Sequence, residues 1–279
     1  MSVLIMNPTE VERAATRRRY LMCAPEYFDV TYAINPWMSL DVPADAGLAV
    51  QQWNDLREAY LQLGHQVDLI TPQPGLPDMV FAANGGLVVG GQALGASFTH
   101  VERRPEGPAY LEWFAAAGLD AVHDPVEINE GEGDLLTVGE VILAGTGFRT
   151  TRAAHAEVAK IFDREVVTLE LVDPRFYHLD TALTVLDEDT IAYYPGAFSL
   201  AAQEILRGRH PNALIASEAD AAVLGLNAVS DGYNVVLTRH ATQFAEDLRA
   251  HGFNPIGVDL SELLKAGGGA KCCTLELRS

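Results

Sequence analysis

Basic residues are scarce in this chain. Nineteen Lys and Arg stand against 38 Asp and Glu over 279 residues, a formal charge of −19. A surface this acidic repels phosphate, which argues against a nucleic-acid partner. Long apolar runs are also missing. No stretch approaches the ~18 uncharged apolar residues of a spanning helix, so no membrane segment is expected. Met1 to Pro8 is too short for a secretory leader and has no basic region ahead of it. Cysteine is rare. Three thiols, two of them adjacent at Cys272 and Cys273, cannot build a disulfide framework. Together these absences lead to the expectation of a cytoplasmic protein. Several chemical signatures are absent too: a Gly-x-Ser-x-Gly elbow, a phosphate loop, a dinucleotide glycine motif, and Cys-x-x-Cys or His-x-x-x-His metal spacing. Neither a metal nor a cofactor is therefore expected.

What is present is apolar material and repetition. Hydrophobic residues make up 48% of the chain, which excludes disorder and allows a large core. Four stretches share one hairpin pattern, two apolar runs around a short polar or glycine turn. They run from Gly86 to Phe98, Gly133 to Phe148, Thr181 to Phe198 and Gly225 to His240. Phe98, Phe148 and Phe198 follow one another at 50-residue intervals, the mark of a repeat architecture. After each hairpin comes a helical pattern, over Tyr110–Ala117, Ala153–Phe162, Leu200–Arg207 and Thr242–His251. Val158, Ile161 and Phe162, for example, share one helix face. A short strand closes each unit, at Ala121–Val122, Val166–Leu171, Ala213–Ala216 and Pro255–Leu260.

The module is thus ββαβ. A fifth copy is expected at the N-terminus, with a strand at Thr31–Met38, a helix at Val50–Gln62 and a strand at Val67–Ile70. Its missing first strand is expected from Cys273–Leu277. Five such modules in a ring closed by the chain ends hide their sheet edges. The expected fold is α/β, a five-bladed αβ-propeller (pentein) with pseudo-fivefold symmetry, residues 1–279 forming one catalytic domain. Arg13, Arg17, Arg18 and Arg19 read as a solvated arm leading into the first strand rather than an anion site.

Chemistry-bearing residues fall near the openings of separate modules. Cys272 follows Gly267-Gly268-Gly269, where glycines permit close backbone approach to a ligand. Lys271 beside it would favour the reactive thiolate, and strand alternation would turn only one of the paired cysteines inward. His178 and Asp180, two apart, would share one strand face as an acid–base pair. Glu130, Glu132 and Asp134 open another module. Carboxylates at a ring's centre would grip a guanidinium bidentately. Asn84, within Phe81-Ala82-Ala83-Asn84, and Asn35, within Asn35-Pro36-Trp37-Met38, complete the set. The remaining histidines, such as His65, His100, His155 and His251, read as solvated.

From about Tyr20 to Leu277 the sequence resembles the guanidine-modifying superfamily, which includes arginine deiminases, dimethylarginine dimethylaminohydrolases, amidinotransferases and arginine dihydrolases. The resemblance rests on Phe81–Asn84, Glu130–Asp134, His178–Thr181 and Lys271–Thr274 together. It implies a hydrolase of arginine or an N-methylated arginine that acts through a covalent thiouronium. Cys272 would be the nucleophile and His178 the acid and base. Glu130 and Asp180 would hold the guanidinium, with Glu130 also orienting His178. Arg103, in Val-Glu-Arg-Arg-Pro-Glu, is implied as the carboxylate ligand, with Asn35 and Asn84 as further substrate contacts. Asn84, rather than aspartate, leans toward the arginine dihydrolases. The alternatives are a dimethylarginine dimethylaminohydrolase, an amidinotransferase and a non-catalytic ring. The acidic motif carries an extra residue, so Glu132 competes with the preferred Glu130. Product, oligomeric state and the choice between arginine and methylated arginine stay open.

Overall fold

The structure, a computed structural model, describes residues 13–279. The reading of Met1 to Pro8 lies outside them. Strand β1 (Arg19–Cys23) is followed by α1 (Ala46–Gln62) and β2 (Gln66–Ile70). Helix α1 starts where the Asp45 side chain accepts the Leu48 amide. It buries Ala49, Trp53, Leu56 and Tyr60, a spacing of three and four that makes one apolar face. The second unit is β3 (Gly86–Val89), β4 (Gln92–Gly95), α2 (Glu106–Ala116) and β5 (Ala121–His123). The third is β6 (Leu135–Val138), β7 (Val141–Thr146), α3 (Arg152–Phe162) and β8 (Glu165–Glu170).

A one-turn helix, α4 (Leu179–Ala182), opens the fourth unit. Strands β9 (Leu183–Val185) and β10 (Ile191–Tyr193), helix α5 (Leu200–Arg209) and strand β11 (Leu214–Ile215) follow. The fifth unit holds α6 (Glu218–Ala221), β12 (Val229–Ser230), β13 (Asn234–Thr238), α7 (Thr242–Ala250) and β14 (Asn254–Val258). Helix α8 (Ser261–Leu264) and strand β15 (Leu275–Glu276) end the chain.

These strands make five three-stranded sheets with one repeated order: β15-β1-β2, β3-β4-β5, β6-β7-β8, β9-β10-β11 and β12-β13-β14. In each, the first pair is antiparallel and the second parallel. The four hairpins and the parallel strand after each helix stand where the repeat puts them. The C-terminus completes the N-terminal sheet as expected, with Tyr20 opposite Glu276 and Leu21 opposite Leu275. Strand β15 packs on β3, β6 on β9, and β9 on β12.

One element differs. The first strand is Arg19–Cys23, and Thr31–Met38 is a loop of bends and turns. Asn35 accounts for this: its side-chain oxygen accepts the Trp37 amide, a local turn that competes with strand pairing. The arginine arm is also less solvated than expected. Arg13 pairs with Asp187 and stacks 3.6 Å over the Phe253 ring, Arg18 reaches Glu276, and Arg19 bonds Asp68 on the adjacent strand at 2.6 Å.

Candidate active site

The segments that precede the first strands of the sheets converge. In the acidic motif, Gly131 adopts φ +54 and its backbone lies against that of Gly86, where a Cβ would come within 2.5 Å of the Gly86 oxygen. A Cβ at Gly133 would collide with the Asn84 amide nitrogen and meet the His178 ring at 3.1 Å. The two glycines therefore let three modules close on one another.

His178 does not sit on a strand. It is the extended residue just before α4, so Asp180 lies in a helical turn rather than on a shared strand face. The cause is Asp134, whose two oxygens accept the amides of Leu179 at 3.0 Å and Thr150 at 3.1 Å. A carboxylate on the first free amide of a turn favours the helix start.

His178 Nε2 meets Glu130 Oε2 at 2.7 Å. The same oxygen accepts Arg149 Nη1 at 2.9 Å, and Oε1 accepts the Thr99 amide at 3.2 Å. Burial alone would raise the Glu130 pKa. Arg149 first, then the bond and charge of His178, outweigh it and hold the carboxyl below its usual range. Glu132 faces elsewhere: it accepts Lys271 Nζ at 2.5 Å and the Glu276 amide at 2.8 Å. Glu130 is thus the carboxylate that meets the histidine. Lys271 is committed to Glu132 and the Thr274 carbonyl, not to the thiol, because a half-buried ammonium takes the nearest carboxylate.

Cys272 lies in a turn, not a strand, closed by the Thr274 amide on the Lys271 carbonyl at 2.9 Å. Its sulfur donates to Asp180 Oδ2 at 3.3 Å and accepts Asn227 Nδ2 at 3.1 Å. Both cysteines touch the apolar cluster of Tyr60 and Tyr20, but among the described residues only the Cys272 sulfur has polar side-chain partners. Burial, then the Asp180 charge, push the Cys272 thiol well above its ordinary pKa. Burial likewise raises Asp180 to about 6, against opposing pulls from His178 and Lys271. Asp180 Oδ1 and His178 Nδ1 are buried without a hydrogen-bond partner among the described residues.

Asn84 accepts Arg103 Nη1 at 2.8 Å through its oxygen, and its nitrogen lies 3.4 Å from the Glu130 carbonyl. Arg103 grips both Glu106 oxygens, at 2.9 and 2.8 Å, and stacks 4.7 Å over Phe98. It is 3% exposed, and all three of its nitrogens are already engaged inside the protein. Asn35 sits on the loop above the site. Its nitrogen bonds the Ala266 carbonyl at 3.0 Å, and neighbouring Trp37 bonds the Arg175 carbonyl at 2.8 Å. Tyr177 adds a bond to the Gly267 carbonyl at 2.9 Å. The roof formed this way seals the centre: Cys272, His178, Glu130, Asp180 and Asn84 are each 2% exposed or less.

Two residues of this centre escaped the sequence reading. Arg149 follows Phe148, the hairpin-ending phenylalanine, and nothing in its neighbours distinguishes it from a surface arginine. Asn227 did carry a signal. It opens the hairpin of the fifth module, the one module that supplied no candidate.

The chain is similar to several known proteins. A family profile described as N,N dimethylarginine dimethylhydrolase, eukaryotic, matches residues 35–279. The N(G),N(G)-dimethylarginine dimethylaminohydrolase of Mycobacterium tuberculosis is 57% identical over 265 residues, covering 95% of this chain and 87% of that protein. The bifunctional arginine dihydrolase/ornithine cyclodeaminase AgrE of Nostoc is 40% identical over 268 residues, 94% of this chain but 38% of that protein. The N-terminal domain of ArgZ, a cyanobacterial arginine dihydrolase solved as a mutant bound to substrate, superposes with a TM-score of 0.90 at 38% identity, covering 94% and 98% of the two chains. The α/β fold of small sheets is that of these structures. By profile, identity and coverage alike, the chain belongs to the dimethylarginine dimethylaminohydrolase family, hydrolases of the C–N bonds of linear amidines.

Proposed function

We propose that the chain hydrolyses the guanidino group of arginine or an N-methylated arginine through a covalent thiouronium on Cys272. The observation that carries this reading is the convergence of a buried thiol, a His178–Glu130 pair and a second carboxylate, Asp180, from separate modules. The five sheets are read as blades of an αβ-propeller, one domain over residues 1–279, with the β15–β1 pairing as its closure.

A guanidinium placed between Glu130 and Asp180 would be held by paired hydrogen bonds, and its charge would favour passage of the Cys272 proton to His178. The thiolate attacks the guanidinium carbon. His178 then protonates the departing ammonia or amine and, freed of that proton, takes one from the water that cleaves the thiouronium. Glu130 keeps His178 oriented, and Arg149 keeps Glu130 ionised. Arg103 would donate to the substrate carboxylate through Nη1 by exchanging its bond to Asn84, while Asn35 and the released Asn84 amide serve the remaining polar groups.

The thiol and histidine together argue against a non-catalytic ring, and an amidinotransferase would need an amine acceptor in place of water. The substrate class itself argues for a cytoplasmic setting without nucleic-acid or membrane partners, and no described helix is long and apolar enough to cross a membrane. Incubation with arginine and with dimethylarginine, with products identified by mass, separates the readings. Ornithine from arginine marks a dihydrolase, and citrulline plus dimethylamine marks a dimethylaminohydrolase. No turnover of either overturns the proposal.

A further inference from the structure

We propose that Asn227 is the donor that stabilises the Cys272 thiolate and fixes the sulfur in the site. The inference rests on Cys272 being the nucleophile. Asn227 is fully buried at the head of the β12–β13 hairpin. Its backbone amide bonds the Leu224 carbonyl at 3.0 Å, and Leu224 holds the left-handed φ of +53 that a branched side chain rarely adopts. The turn is thus strained where it delivers this side chain.

Both ends of the amide are used on the nucleophile. Oδ1 accepts the Cys272 backbone amide at 3.0 Å, while Nδ2 donates to the Cys272 sulfur and to the Asp180 carbonyl, each at 3.1 Å. Rotating the amide by half a turn would set oxygen against a carbonyl and N–H against N–H, so the network defines its orientation. The close approach needs Gly269, where a Cβ would come within 2.8 Å of Asn227 Oδ1.

The charges around the sulfur show what the amide supplies. Asp180, from α4, stands 3.3 Å away, and Tyr177 and His178 flank it on the same segment. On its own turn, Cys273 brings no cation and Lys271 is spent on Glu132. When the proton leaves Cys272, its bond to Asp180 is lost and two anions face each other. The Asn227 N–H then becomes a charge-assisted donor. A lysine or arginine in its place would stabilise the thiolate more strongly but would repel a cationic substrate. A primary amide of this length supplies acceptor and donors without charge.

The test separates holding the turn from stabilising the anion. Asn227→Leu keeps the approximate shape and adds no charge but loses the donors, whereas a carboxylate here would raise the thiol pKa by its charge alone; Asn227→Ala serves as a second variant should the first not fold. The rate of iodoacetamide alkylation at Cys272 is followed against pH by peptide mass. The expected result is a thiol pKa raised by about one to two units, roughly 10- to 100-fold less thiolate at fixed pH, with the KM for the guanidino substrate moving less than kcat. An unchanged alkylation profile in a folded variant overturns the proposal, even if turnover falls, because that outcome is purely structural. The Cys272→Ala control separates the two levels: if it keeps turnover, the nucleophile reading fails, whereas the alkylation profile bears on Asn227 alone.

Discussion

Glu130 and Asp180 are two carboxylates in one site, both wholly removed from water, and they end in opposite electrostatic states. Glu130 has a guanidinium, an imidazole and a backbone amide on its oxygens, and its pKa is held below the usual range. Asp180 has one thiol on one oxygen and nothing on the other among the described residues, and its pKa rises to about 6. Burial acts on both. The donors decide, and they differ because Glu130 faces the arginine after a hairpin whereas Asp180 faces the nucleophile. One side of the site is a finished ion network, and the other is an incomplete one, with a carboxylate oxygen that lacks a donor among the described residues.

The sharpest break of this contrast is at the sulfur. Cys272→Ala should lower turnover by at least about 10³-fold with the fold intact, while Cys273→Ser should keep substantial activity; steady-state kinetics on both variants checks it. Reversed behaviour would assign the wrong cysteine. Next in size is Glu130→Gln. It should cost about 10²–10⁴-fold in kcat and, by leaving Arg149 buried without its partner, about 3–5 kcal/mol of stability by denaturant titration.

Asp180→Asn should abolish turnover yet move stability the other way. A carboxylate raised from 3.8 to about 6 on folding contributes stability that is present below 3.8 and lost as pH rises through 6. The variant should therefore gain on the order of 2–3 kcal/mol over the wild type at pH 8, and none below pH ~4, in paired melts. A loss at pH 8 would show that Asp180 is a satisfied ion after all. On the same basis, arginine binding to Cys272→Ala, followed by calorimetry, should weaken by up to about tenfold per pH unit as Asp180 is protonated, from a pH somewhat higher than in the wild type because the thiol's bond is gone.

Smaller effects concern substrate choice and metal. Asn84 offers an acceptor and two donors, so it can bond a ureido oxygen as well as a guanidinium N–H. The expected wild-type product from arginine is ornithine, and Asn84→Asp should shift it toward citrulline by mass analysis. Activity lost without a change in product ratio would reduce Asn84 to a structural contact. Exhaustive chelation should leave turnover unchanged, because the electrophile is itself a cation and needs no Lewis acid.

The repeat was legible because its period is written in hairpins, helices and the recurring phenylalanines, and the fold follows that period closely. The site was legible where a residue stood at a module opening. Cys272, His178, Glu130 and Asn84 converge for that reason, and Asn227 would have followed from the same rule. What local pattern could not show was pairing at a distance. Lys271 sits beside Cys272 in sequence but bonds Glu132, and Arg149 becomes significant only once Glu130 is folded against it. Thr31–Met38 misled for a different reason: its apolar residues look like a strand, but Asn35 turns the chain and the loop roofs the site instead.

The pairing of Tyr20 with Glu276 has a consequence for the order of events in folding. Cys272 lies three residues before β15, which is anchored by a strand from the opposite end of the chain. The β3–β5, β6–β8, β9–β11 and β12–β14 sheets are each closed by local contacts, which form early at small entropic cost. The sheet that seats the nucleophile waits for the longest loop closure in the described chain. A nascent or partly refolded molecule would then carry His178 and Glu130 already in contact while its thiol is still unplaced. Recovery of activity on refolding should lag behind recovery of secondary structure by the time that closure takes.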